Sequence, residues 1–173
     1  MRKFRWLLAI MGAVLAGLVS LLGVTVSASA DPGTIVKFGT MTPVTGPYVG
    51  TANPIRGVPG GGLPWMITSA TGTLKSDGHV KVQVRGLVLA DHDPVPPALQ
   101  GTNPVPSFRA IVSCQSIGAD NTATVSNVST DPFPASGAGD ATIDAIVSLP
   151  RPCIAPIVFV TSPGGAWFAA TGD

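Results

Sequence analysis

The pattern of apolar and polar residues is most regular over HVKVQVR (79–85), where three valines alternate with lysine, glutamine and arginine. A period of two places the valines on one face of an extended strand and the polar side chains on the other. Asp77-Gly78 lies between this stretch and an earlier run, WMITSATGTLK (65–75). An Asp-Gly pair favours a tight hairpin because both positions tolerate a positive φ. The segment 65–89 therefore predicts an antiparallel hairpin with one buried face.

Similar short strands are predicted over much of the remaining chain. A second hairpin is predicted over 107–129, with its turn at GADN (118–121), and further strands over 140–149, 154–161 and 166–171. The sequence has 21 glycines and 17 prolines and few good helix formers, which suits turns between strands and disfavours helix interiors. The expected fold is all-β, an antiparallel β-sandwich or Greek-key barrel of about seven or eight short strands.

The first thirty residues differ in character from the rest. Three basic residues occur within the first five, an uncharged apolar run covers 6–26, and Ala28-Ser29-Ala30 follows. This order predicts an N-terminal signal helix over 1–30 that is cleaved after Ala30. The alternative is an uncleaved membrane anchor, because about 20 apolar residues suffice to cross a bilayer.

The segment 31–64 predicts an arm in front of the sandwich. Its stretch 41–64 has prolines and glycines too frequent for any regular element, although TIVKF (34–38), just before it, has the composition of a short strand. Gly60, Gly61 and Gly62 then precede the domain predicted for 65–173. The expected organisation is a signal peptide at 1–30, a Pro/Gly-rich arm at 31–64 and one β-domain.

The charge balance argues against two classes of partner. Three of the ten basic residues lie in the predicted signal peptide, so the remaining seven face nine aspartates, a net charge of −2. Such a chain has no basic surface for nucleic acid and no polybasic patch for anionic lipid. A membrane partner is expected only through the signal segment, if that segment is retained.

Cys114 and Cys153 are the two cysteines of the sequence. In an exported chain an even pair predicts a disulfide. Neither a CxxC spacing nor a zinc-like histidine spacing accompanies them. We therefore predict a bond between the strand at 107–117 and the start of the strand at 154–161.

Asp91, His92 and Asp93 form the one stretch that suggests metal or acid–base chemistry. They follow an apolar run and precede three prolines within the next four residues. Adjacent side chains of an extended strand point in opposite directions, so the three cannot face one metal ion without a tight turn. Aspartate also stabilises turns by bonding its own backbone. A solvated turn is the expected role, and a metal site here is the alternative.

Motifs for catalysis or for a cofactor do not occur in the sequence. It has no GxSxG elbow, no phosphate-binding loop and no glutamate. No catalytic residue and no cofactor are predicted. Trp65 and Trp167 lie in apolar runs and are expected in the core, where aromatic burial contributes most.

The stretches GGLPWMITSATGTL (61–74), SFRAIVSCQSI (107–117) and LPRPCIAPIVFVTSPGGAWFAATG (149–172) resemble those of small exported bacterial proteins of unknown function. The stretch SATGTLKSDGHVKVQVRGL (69–87) has a local similarity to the repeat of CHRD domains, but the HIH signature that follows in those domains is missing. The resemblance implies export and an all-β domain, and it assigns no activity.

Together these features predict a secreted or cell-envelope β-sandwich that acts as a non-enzymatic structural or binding module. Its partner is expected to be a protein or another component of the cell envelope. The alternative is a metal- or small-molecule-binding protein, or a hydrolase, with a loop site at Asp91, His92 and Asp93.

Overall fold

The computed structural model describes residues 33–171, so the predicted signal helix at 1–30 lies outside the described residues. The described chain is all-β, as predicted, with twelve strands and one short 3-10 helix, Gly46–Tyr48. Eight strands have four or more residues, and the other four have two. In chain order they are β1 Thr34–Phe38, β2 Thr42–Pro43, β3 Trp65–Met66, β4 Ser69–Lys75, β5 His79–Arg85, β6 Val88–Leu89, β7 Ser107–Ile117, β8 Ala123–Ser129, β9 Phe133–Pro134, β10 Ala141–Ile146, β11 Ile154–Thr161 and β12 Trp167–Ala170. No helix within 33–171 is long and apolar enough to cross a membrane.

The smaller of the two main sheets has the strand order β1-β4-β5-β10, with every pair antiparallel. The predicted hairpin is its centre, because β4 and β5 pair across the turn at Asp77-Gly78. Gly78 has a φ of 90°, a conformation that glycine adopts without steric cost. The valines of β5 are fully buried and its polar residues lie on the open face, which confirms the face assigned from the alternating pattern.

The larger sheet has the order β2-β12-β11-β7-β8, and β9 pairs separately with β7. Its longest strand, β7, has β11 on one side and β8 on the other. The predicted second hairpin corresponds to β7 and β8. The sheets are not closed into a barrel, so of the two predicted architectures the sandwich agrees with the structure.

An aromatic cluster fills the middle of the core. The rings of Trp65 and Phe168 stack with centroids 3.9 Å apart, and Phe108 meets both edge-on. Trp65 and Trp167 are each 3% exposed, which confirms their predicted place in the core. Edge-to-face and offset aromatic pairs add stabilisation beyond the area that they bury.

The segment predicted as a separate arm contributes strands to both sheets. β1 is the edge strand of the smaller sheet and β2 is the edge strand of the larger one. Val44 and Val58, which lie between β2 and the predicted start of the domain, are also buried. The described part of 31–64 is therefore packed into the sandwich. The prediction of no regular element over 41–64 is wrong at β2 and at the 3-10 helix Gly46–Tyr48, and proline and glycine content could not indicate that this backbone covers a sheet.

Candidate functional site: a groove along the edge strand β1

The residues Asp91, His92 and Asp93 form an exposed turn after β6. The Nδ1 atom of His92 lies 2.7 Å from the main-chain oxygen of Asp93, and the amide of Val95 donates to the main-chain oxygen of His92 at 3.1 Å. These bonds hold the residues to their own backbone. Among residues 33–171, no three His, Cys, Asp or Glu side chains come together as metal ligands would.

A second cluster of titratable side chains lies on the open face of the smaller sheet. The Nε2 atom of His79 lies 2.6 Å from one carboxylate oxygen of Asp144, and the Nζ atom of Lys81 lies 3.2 Å from the other. The hydrogen bond with His79, followed by that with Lys81, lowers the pKa of Asp144 below its usual value. Arg85 and Asp140 form a further pair at 3.5 Å on this face. All these side chains are substantially exposed, as expected for a solvated sheet face.

Sequence reasoning missed the partner of His79. Asp144 is 65 positions away in the chain and reaches His79 only because β10 pairs with β5. The alternation that places Lys81 and Asp144 on polar faces was visible in the sequence. The neighbouring position of the two strands was not.

A groove of about 690 Å³ runs along β1 and faces the beginning of β11. We call it the edge groove. Within residues 33–171 its lining includes apolar side chains from both strands and two basic residues, and no acidic residue. The lining residues are Ile35, Val36, Lys37, Phe38, Gly39, Thr40, Arg56, Ala155, Pro156, Ile157 and Thr171.

One wall of the edge groove is an unpaired strand edge. β1 is the outermost strand of its sheet and pairs only with β4 among the described strands. An edge strand presents a row of N–H and C=O groups that no neighbouring strand bonds. The ring of Phe38 lies over Gly72 of β4, where a Cβ atom would meet it, and the residue also lines the edge groove.

The opposite wall is a bulge in β11. The register between β11 and β7 shifts between Ile154 and Ile157, and Ala155 has a φ of 45°. Pro156 has no N–H group to donate to a ladder. The main-chain oxygen of Ser113, on the facing strand, instead accepts a hydrogen bond from Nη1 of Arg56 at 3.0 Å.

Hydrogen bonds hold both the side chain and the main chain of Arg56 in place. Its side chain bonds Ser113, and its main-chain oxygen accepts a hydrogen bond from Nδ2 of Asn127 in β8 at 3.0 Å. Its φ of 49° is unusual for a residue with a side chain. A guanidinium has five N–H donors, and the bond to Ser113 uses one nitrogen. Neither Arg56 nor Lys37 makes an ion pair within residues 33–171, so both charges remain available to a ligand.

A second groove of about 420 Å³ continues beyond Ile35, which lines both. Its walls include Ile146, Arg151 and Cys153, together with Asp77. Ile146 is 75% exposed, which is unusual for a large apolar side chain within a strand. Exposed apolar surface rimmed by polar groups often marks an interaction site.

The predicted disulfide joins this second groove to the core. Cys114 and Cys153 are bonded, with their Cα atoms 4.9 Å apart, within the range that a disulfide spans. Cys114 is fully buried in β7, whereas Cys153 lines the second groove. The bond therefore fixes the chain immediately before the β11 bulge. Such bonds are formed and kept in oxidising compartments.

Comparison with protein-family models, with curated proteins and with solved structures gave no match. The functional assignment therefore rests on the geometry of this chain.

Proposed function

We propose that this protein is a non-enzymatic binding module of the cell envelope or the extracellular space, and that its ligand occupies the edge groove. The observation that carries the proposal is the edge groove itself, which combines, within the part of the chain that the structure describes, an unpaired strand edge, apolar side chains and the unpaired charges of Lys37 and Arg56. Binding sites typically combine mostly apolar walls with a few placed polar groups.

The compartment follows from two independent features. The bond between Cys114 and Cys153 suits an oxidising environment, and the pattern of residues 1–30 is typical of a secretory signal. The sequence has no glutamate and no recognised nucleophile motif. These features favour recognition over catalysis as the role of the module.

The rigidity of the groove also supports a binding role. The β11 wall is fixed by the adjacent disulfide, and Arg56 is fixed by its bonds to Ser113 and to Asn127. A site whose parts are held before the ligand arrives loses less conformational entropy on binding. The edge groove is therefore suited to a ligand of defined shape.

A two-dimensional NMR titration of the purified protein would test the proposal. Three probes would be added separately: short synthetic peptides of different net charge, oligomers of N-acetylglucosamine, and a chromogenic ester. We expect at least one of the first two to shift the amide signals of 35–40, Ala155 and Ile157. Shifts confined to other regions, or turnover of the ester that a point substitution abolishes, would refute the proposal.

A further inference from the structure

We infer that the edge groove takes an extended polypeptide bearing carboxylates, which adds to β1 as a fifth strand of the smaller sheet. This inference rests on the proposed function and specifies its ligand class. The backbone, the side chains and the charges of the groove each contribute a separate argument.

The backbone argument concerns the free edge of β1. Polypeptides commonly bind by adding a strand to an exposed sheet edge, with main-chain hydrogen bonds giving affinity and pockets for alternate side chains giving specificity. β1 spans five residues, or about 17 Å at the rise of an antiparallel strand. A segment of about five or six residues would therefore fill this edge.

The bulge determines which wall can pair with the ligand. β12 pairs with β11 only over Phe159–Thr161, so the earlier part of β11 has no strand partner on that side among the described strands either. The shifted register and Pro156 interrupt this wall, because proline cannot donate to a ladder. Continuous strand pairing is therefore assigned to β1, and the bulge of β11 provides side-chain contacts.

The side chains fit a strand whose residues alternate in character. Phe38 and Ile157 provide apolar surface within the groove, and Ile35 extends that surface toward the second groove. Successive residues of a strand point to opposite faces. One set of ligand side chains would contact this apolar surface, and the other set would contact Lys37 and Arg56.

The charged residues of the edge groove determine which polar side chains the ligand should carry. Among the described residues, Lys37 and Arg56 are the charged ones that line the edge groove. Arginine binds carboxylates through two parallel hydrogen bonds, in a geometry that its planar fork favours. Glutamate or aspartate in the ligand would complement both residues, whereas a basic ligand would be repelled.

A second copy of this chain fits the edge less well. Antiparallel pairing of two β1 strands would bring Lys37 of each copy to the same short interface, where like charges opposite one another destabilise a sheet. An acidic polypeptide removes this repulsion and neutralises both basic residues.

The test uses the purified protein and a blocked hexapeptide in which glutamate and valine alternate. Calorimetry would compare it with the corresponding Lys-Val and Gln-Val hexapeptides. We expect the Glu-Val peptide to bind at least about tenfold more tightly than the Lys-Val peptide. NMR should show contacts between peptide and β1 amides, and slower amide exchange within 34–38.

Two sets of variants make the test specific. Lys37→Glu should weaken binding of the Glu-Val peptide about fivefold or more, since it replaces an attraction with a repulsion. Arg85→Glu changes the net charge equally on the open sheet face and should leave the affinity within about twofold. Methylation of the peptide nitrogens that donate hydrogen bonds to β1 should abolish binding. Methylation of the alternate nitrogens, which point away from β1, should leave binding intact.

Each remaining outcome contradicts the inference in a distinguishable way. Equal binding of all three peptides, or no binding, would refute an acidic-strand ligand. If N-acetylglucosamine oligomers shift the signals of 35–40 and the Glu-Val peptide does not, the proposed binding role stands and the polypeptide class is wrong. A concentration-dependent doubling of mass, with amide exchange within 34–38 slowed in the absence of peptide, would identify the second copy as the occupant.

Discussion

The side chain of Arg56 donates a hydrogen bond to the main-chain oxygen of Ser113, 57 positions along the chain and 3.0 Å away. The accepting oxygen of Ser113 lies beside the β11 bulge. The bond thereby couples the loop before β3 to β7 of the larger sheet, and it positions one of the two basic residues of the edge groove.

Replacing Arg56 with alanine is expected to lower the free energy of unfolding by about 1–3 kcal/mol. The substitution leaves a main-chain acceptor at a fully buried residue without its partner, and unsatisfied buried groups carry that cost. Urea unfolding would measure the loss. Arg85→Ala, which removes an exposed partner of Asp140, is the control and should stay within about 0.5 kcal/mol. Equal effects of both substitutions would contradict the structural role given to Arg56.

Removing the disulfide is expected to lower the melting temperature by about 10 °C. The bond closes a sequence separation of 39 residues, which corresponds to about 4 kcal/mol in the chain-entropy model. For a domain of this size each 1 kcal/mol moves the midpoint by about 2–4 °C. Calorimetry of Cys114→Ala/Cys153→Ala would measure the change, and mass spectrometry of the unreduced wild type should find no free thiol. A melting temperature unaffected by the double substitution would contradict a stabilising role.

Gly78→Ala is expected to destabilise the protein by about 3 kcal/mol or more. A Cβ atom at this position would run into the main-chain oxygen of Val147, and its φ of 90° is costly for alanine. Gly101 offers a matched control, since its φ is 65° and a Cβ atom would have open space around it. Gly101→Ala should cost only the conformational strain, about 1 kcal/mol. Thermal melts of both variants would check the difference, and a larger loss at Gly101 would count against the described turn.

Asp144→Asn is expected to change the dependence of stability on pH. The pKa of Asp144 lies below its unfolded value through its bonds with His79 and then Lys81. A lowered carboxyl pKa stabilises the fold above the unfolded value of 3.8, and this contribution is lost as pH falls through the folded pKa. Because the side chain is 45% exposed, screening limits the effect to about 0.5 kcal/mol.

Melts between pH 2 and pH 7 would test this dependence. The wild type should exceed Asp144→Asn in melting temperature above about pH 4.5, and the two should converge in the most acidic samples. Asp131→Asn serves as the control, because the Asp131 side chain forms no ion pair or hydrogen bond among the described residues. A difference that grows toward pH 2 would have the wrong sign and would refute the assignment.

Local features of the sequence determined the class of fold, the central hairpin and the buried face of β5. A strand exposes alternate side chains to opposite sides, so the spacing of Val80, Val82 and Val84 indicates both the strand and its inner face. The Asp77-Gly78 pair fixes the turn for an equally local reason. The disulfide could also be predicted, because a chain with two cysteines and a predicted export signal leaves one pairing.

The tertiary structure alone decided which distant segments become neighbours. The partners Arg56 and Ser113, His79 and Asp144, and the two walls of the edge groove lie far apart in sequence. The alternating pattern states which face of a strand is buried, and it carries no information on which strand lies beside it. Strand order depends on how all the apolar faces are buried together, and this is why β1, predicted within an arm, became the edge of a sheet and the wall of the candidate site.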